Sequence, residues 1–147
     1  MAARAYDKAG KIREAAIMYE HEIEARPSYV GAFVEAAEFY MKSFDPGAVI
    51  RIFSKFDSEF QDHPRIRTRM AQAYLALKQM DKAAEEAQRA ISLDNKMGEA
   101  YRVLGIYYDD QGQYEIAKKN FENYLMLLPG AADANTIRTR INQPPYR

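Results

Sequence analysis

The 147-residue sequence predicts an all-α fold of antiparallel helix pairs stacked side by side, an α-solenoid, and three observations carry that expectation. Tyr6, Tyr40, Tyr74 and Tyr108 stand 34 residues apart. The same period holds a small column (Ala3, Ala37, Ala71, Gly105), a second nearly small one (Ala15, Val49, Ala83, Ala117) and a third that is aromatic in three of four copies (Tyr19, Phe53, Ala87, Phe121). Apolar residues otherwise recur at three and four, and no segment alternates as a half-buried strand would. Breakers such as Asp45-Pro46, Gly112 and Pro129-Gly130 fall between the periodic stretches. A 34-residue period is that of a helix–turn–helix array, in which each pair is too thin to bury its own apolar face and stacking supplies the core.

The units follow in order within a single domain. Residues 1–29 form a truncated copy, because back-projecting the period starts its first helix before Met1 and leaves about two turns. Its second helix, over roughly residues 11–25, is intact and ends at Pro27. Residues 30–63 carry Phe33, Ala36, Ala37 and Tyr40 on the first helix, then Val49, Phe53 and Phe56 on the second. Asp45 is placed to cap that second helix, and Pro46 sits in its first turn, where a missing N–H is harmless. Residues 64–97 open with Pro64 and carry Met70, Ala71 and Tyr74, then Ala83, Ala87, Ala90, Ile91 and Leu93. Residues 98–131 are the clearest unit: Tyr101, Leu104, Gly105 and Tyr108 share one stripe, Gly112 suits a left-handed helix end, and Tyr114, Ala117, Phe121, Tyr124 and Leu125 follow. Residues 132–142 form a closing helix, with Arg138 and Arg140 making its outer side polar, and residues 143–147 a frayed tail.

Composition narrows the function. Lys plus Arg and Asp plus Glu both number 21, so the basic surplus typical of phosphate binding is missing. The eleven tyrosines fall mostly in core columns rather than on a base-stacking platform, so nucleic acid is not an expected partner. With no Cys, disulfides and thiolate metal sites are impossible. No apolar run approaches the about 20 residues that span a bilayer, so direct membrane insertion is not expected. The first residues lack the apolar stretch of a signal peptide, which leaves the compartment open between cytoplasm and, for a processed fragment, periplasm. No nucleophile elbow, phosphate loop, dinucleotide turn or metalloprotease signature occurs. His21 amid Glu20, Glu22 and Glu24 reads as a solvated helix face, and His63 behind Asp57, Glu59 and Asp62 as a turn with capping acids. Neither catalysis, metal nor cofactor is expected.

These columns resemble the tetratricopeptide repeat. That family's pattern is an aromatic, Leu beside a small residue, and Tyr on the first helix, then Ala, an aromatic, Ala and a closing Pro on the second. Residues 98–131 match through Tyr101, Leu104-Gly105, Tyr108, Ala117, Phe121 and Pro129, and depart at Tyr124, where Ala is usual. Residues 64–97 keep Ala71, Tyr74, Ala83 and Ala90 but place Arg67 at the aromatic and Asn95 at the proline. Residues 30–63 keep Phe33, Ala37, Tyr40 and Phe53 but carry Val49 and Phe56 in the small columns, while Ala3, Tyr6, Ala15, Tyr19 and Pro27 survive in the first copy. The resemblance covers almost the whole chain and implies a right-handed superhelix whose first helices line a concave inner face.

In that family the groove is built from first-helix residues that point away from the paired second helix. Carried over, these are Val34, Glu35 and Glu38 with Met41 and Lys42; Arg65, Thr68, Arg69, Gln72 and Leu75; and Arg102, Val103 and Ile106 with Glu99 and Asp109. Arg4, Asp7, Thr136 and Arg140 would extend the wall. Arg65, Arg69 and Arg102 would form a basic strip, whose guanidinium forks suit acidic side chains or a peptide's C-terminal carboxylate. Some family members clamp a chaperone's terminal carboxylate with two Lys, two Asn and an Arg. Here Arg65 and Arg69 take two of the cationic places, but Glu35 and Arg4 stand where the Asn residues belong, so that chaperone is not an expected partner. The competing expectation is intramolecular, with Glu35 and Glu38 paired to Arg69 and Arg65. The expected function is a non-catalytic scaffold or adaptor that binds a protein or peptide segment. Two alternatives stand beside it: a homo-oligomer joined through the open N-terminal end, where Tyr6 and Tyr19 are less covered, and the repeat region of a larger assembly factor.

Overall fold

Four turns of one shape join the two helices of each pair. Gly10, Phe44, Lys78 and Gly112 recur at the 34-residue period and have φ of 71°, 58°, 61° and 71°. In each case the next amide donates to the periodic tyrosine's carbonyl: Lys11 to Tyr6, Asp45 to Tyr40, Gln79 to Tyr74 and Gln113 to Tyr108, at 2.9–3.0 Å. This satisfies a carbonyl that a helix end would otherwise leave orphaned. Glycine adopts such a φ freely, whereas Phe44 and Lys78 do so against the steric preference of an L side chain.

The computed structural model describes residues 2–56 and 62–147. Among them are nine α-helices and no strand: α1 (Ala2–Lys8), α2 (Ile12–Ala25), α3 (Val30–Lys42), α4 (Pro46–Phe56), α5 (Pro64–Ala76), α6 (Met80–Leu93), α7 (Gly98–Asp110), α8 (Tyr114–Leu127) and α9 (Ala134–Ile141). Successive helices pack as antiparallel pairs, and α3 on α5 and α5 on α7 bring the first helices together into one wall. Local signals act where the sequence places them. Asp45 accepts from the Ala48 amide at 3.1 Å to start α4. Pro64 opens α5, and His63 serves as its cap, its Nδ1 accepting from the Arg65 amide at 3.2 Å. The capping role expected of Asp57 and Glu59 falls outside the described residues.

Burial follows the columns. Ala3, Ala37 and Ala71 are buried, as are Ala15, Val49, Ala83 and Ala117. At Gly105 the approach is closer still: a Cβ there would lie 2.5 Å from the ring of Phe121, itself buried. The apolar interior runs as three clusters along the stack. Tyr74 packs against the first and second and Tyr108 against the second and third, so the periodic tyrosines join them into one core.

Two expectations need correction. Tyr19 is not left uncovered at the N-terminal end, since it packs at 5.0 Å against Phe39 and is buried; Tyr6 is partly exposed. The tail is not frayed either. Tyr146 is 3% exposed, with its ring 5.4 Å from Tyr114 and 6.5 Å from Phe121, and it covers the end of the α8–α9 cluster.

Replacing Phe44 with Gly removes a side chain that is 95% exposed and relieves the left-handed backbone. Phe44→Gly and Lys78→Gly should each raise stability by about 1 kcal/mol, less whatever glycine gains in unfolded-state freedom. Urea midpoints measure this, and a lowered midpoint for both would contradict it.

Candidate functional site

First helices of neighbouring repeats lie side by side, and their charges meet one helical turn out of step. Six ion pairs among the described residues join positions 31 apart, which is the repeat period less one turn. On the wall of first helices, Arg4 donates to Glu35 and Arg69 to Glu38. Further along, Arg102 donates to Asp133 at 2.6 Å and Arg140 to Asp109 at 2.7 Å. On the second helices Lys55 meets Glu24 at 2.5 Å and Arg51 meets Glu20 at 3.5 Å. Single exposed pairs contribute about 0–1 kcal/mol each, so the ladder sets register and charge more than stability.

That ladder corrects the expected basic strip. Arg69 is tied to Glu38 and also donates to Gln72 at 2.9 Å; Gln72 in turn donates to Glu99 at 3.3 Å. Arg102 is compensated by Asp133. Arg65 is exposed and its guanidinium has no ion-pair partner among the described residues. The intramolecular expectation was right for Glu38 as an acid that pairs, but its partner is Arg69, and Glu35 reaches back to Arg4.

Three residues carried onto the groove are not on an open surface. Val34 is 2% exposed and Val103 0%, because adjacent first helices close over them. Thr68 is also buried, and its hydroxyl donates to the Pro64 carbonyl at 2.8 Å. The remaining positions frame two hollows in line. One, of about 210 Å³, is bounded by Arg65, Arg69, Glu99, Lys96, Met97 and Leu128. The other, of about 340 Å³, is bounded by Met41, Gln72, Leu75, Arg102 and Ile106, with Lys78 at its edge. Lys96, Met97 and Leu128 were not anticipated, since they lie on the connections between repeats and not on first helices. No group of acids and histidines suited to hold a metal ion exists among the described residues, and no helix is long and apolar enough to cross a membrane.

Asp133 anchors the last step of the wall. Burial works against its charged form, but the Tyr124 hydroxyl, donating at 2.6 Å, and Arg102 outweigh it and hold the carboxyl below the usual range. Burial first, then the bond to Asp133, pushes the Tyr124 phenol well above its usual value.

The family description Tetratricopeptide repeat matches residues 31–105, just over half of the chain. No curated protein matches it in sequence. Among solved structures, a crystal structure of MamA superposes with a TM-score of 0.77 at 22% identity, over 100% of this chain and 86% of that one. The second tetratricopeptide domain of human RPAP3, solved by NMR with the HSP70 peptide SGPTIEEVD, gives 0.61 at 23% identity, over 74% of this chain and 91% of that one. YrrB, described as having an unusual peptide-binding site, gives 0.66 at 19% identity, over 98% and 76%. At such identities the likeness shows the fold alone.

The depressed Asp133 carboxyl has a consequence for acid stability. The unfolded chain takes up that proton at a higher pH than the folded one, so Asp133 stabilises fully above about pH 5 and loses its contribution as pH falls through about 4 and below. Asp133→Asn should therefore flatten the acid-unfolding curve in that window, as followed by circular dichroism. An unchanged curve would remove Asp133 from the acid response.

Proposed function

Because the chain belongs to the tetratricopeptide repeat family, we propose that it is a non-catalytic scaffold that holds an extended segment of a partner protein along the wall of α3, α5 and α7. The observation that carries this reading is the pair of hollows along α5 and α7, one edged by Arg65, which has no ion-pair partner among the described residues, and the other lined by Met41, Leu75 and Ile106. A segment lying across both would set an acidic group on Arg65 and aliphatic side chains further along. Guanidinium and carboxylate form two parallel hydrogen bonds where geometry allows, so either an acidic side chain or a terminal carboxylate suits that end. A peptide-bound relative of the same fold, the human RPAP3 domain, supports the general mode. Glu35 and Arg4, bonded to each other, leave no pair of amides to complete a chaperone-type clamp.

Self-association is the second reading. Tyr6 of α1 and Ile12 at the start of α2 are 36% and 49% exposed, and a second copy stacking on this N-terminal pair would cover apolar surface there. Sedimentation over a concentration series separates the two, since a monomer at high concentration argues against it.

The ion-pair ladder decides which variant tests the groove. Reversing Arg69 or Arg102 would set like charges against Glu38 or Asp133 and cost stability for reasons unrelated to binding. Arg65→Glu avoids this. It should weaken a peptide selected by the unmodified protein by about tenfold or more, with the melting temperature within a few degrees. Unchanged affinity would remove the groove reading.

A further inference from the structure

The outer edge of each helix pair is filled in three different ways. At 34-residue intervals the same four positions hold Ser28, Phe33, Ile52 and Lys55; then Asp62, Arg67, Glu86 and Arg89; then Lys96, Tyr101, Asn120 and Asn123. In the first, Phe33 and Ile52 are buried and the edge is apolar. In the second, Asp62 is the hub of a closed ionic network. It accepts from Arg67 Nε at 2.7 Å and from Arg89 Nε at 2.8 Å, while Arg67 Nη1 donates to Glu86 at 3.1 Å. Burial opposes the Asp62 charge, yet the two arginines hold its carboxyl below the usual range.

The third edge holds the equivalent repeat positions and no such closure. Asn120 turns its amide back to the Ile116 carbonyl at 2.9 Å. Lys96, Tyr101 and Asn123 make no side-chain hydrogen bond or ion pair among the described residues. What remains is a hollow of about 220 Å³ between the start of α7 and the end of α8, edged by Asn95, Lys96, Tyr101, Asn123, Met126 and Leu127. Met126 is 71% exposed, far more than a thioether needs to be in a core. Where the preceding edge has an acid that draws in cations, this one has a cation, with neutral donors in place of the guanidiniums. The complement that would close it is an anion, and no acid among the described residues lines that place.

We propose that this hollow is a second binding site, separate from the groove, which receives an acidic side chain of a partner protein together with a neighbouring aliphatic one. The guest carboxylate takes the role that Asp62 plays one repeat earlier, accepting from the Lys96 ammonium, the Asn123 amide and the Tyr101 hydroxyl. The aliphatic neighbour lies on Met126 and Leu127. The site does not depend on the groove: Lys96 borders both hollows, but Arg65 borders the groove hollow alone.

The internal repeat supplies the test. The probe is a fluorescein-labelled peptide of alternating Glu and Leu, amidated at its C-terminus so that no terminal carboxylate is present. Fluorescence polarisation should detect binding to the unmodified chain, weakened by added salt. Lys96→Glu, a change at an exposed residue, should reduce affinity by about tenfold or more. The fourfold variant Lys96→Asp, Tyr101→Arg, Asn120→Glu and Asn123→Arg copies the closed network of the preceding edge; it should abolish binding while leaving the melting temperature equal or higher. Arg65→Glu, at a residue that borders the groove hollow alone, should lower the affinity less than Lys96→Glu does. Three results would overturn the proposal: no binding by the unmodified chain at about 1 mM, binding that survives Lys96→Glu, or binding lost equally on Arg65→Glu.

Discussion

Everything in this fold depends on how near the two helices of a pair can come to each other. A helix pair alone is too thin to bury its own apolar face, and its stability comes from the next pair along. That stacking works only if the seam inside each pair is narrow enough for side chains from the neighbour to fill the remaining wedge. Ala3, Ala37, Ala71 and Gly105 set the width from one side, and Ala15, Val49, Ala83 and Ala117 set it from the other. The approach is tightest at Gly105, where a Cβ would meet the Phe121 ring at 2.5 Å; Ala3 and Ala37 stand in the equivalent places opposite Tyr19 and Phe53. The wedge is then closed by Tyr74 and Tyr108, each touching two clusters. A small residue on one side of the seam is required in every repeat, which is why that column travels through the chain.

The same reasoning explains which parts were legible in the sequence. A column is a geometric requirement imposed four times, so a substitution such as Lys78 for glycine at the left-handed turn does not hide it. Events that occur once leave no such trace. Tyr146 is as buried as Phe121, yet nothing repeats it, and a polar, proline-containing tail reads as loose until its ring is seen against Tyr114. Orientation within a column was legible only in part. Val34 shares its column with Thr68 and Arg102, and Val103 shares its own with Glu35 and Arg69. A short apolar side chain there stays beneath the adjacent helix, while a long charged one extends past it to water.

The charges show the limit most sharply. Opposite charges on neighbouring first helices were evident, but partners 31 apart depend on a one-turn stagger between repeats that periodicity does not report. That stagger changes the electrostatic character of the wall. Three arginines in a row would give a field able to draw in any anion; with Arg69 and Arg102 compensated, the positive charge is local to Arg65 and Lys96. A local charge beside apolar hollows favours a partner that matches in shape and sequence over one that is merely acidic.

A repeat protein also carries its own controls, because each edge is a variant of the one before. Phe33 with Ile52, the Asp62 network, and the open Lys96 edge occupy equivalent positions of the 34-residue repeat. Each of the four positions holds a different side chain in each edge. An apolar edge and an ionic one are two ways of closing a seam from within. A cation beside unpaired donors is neither, and it costs burial that the other two edges obtain. Beside one apolar edge and one ionic edge, a third left open among the described residues is better explained by what it receives than by what it lacks.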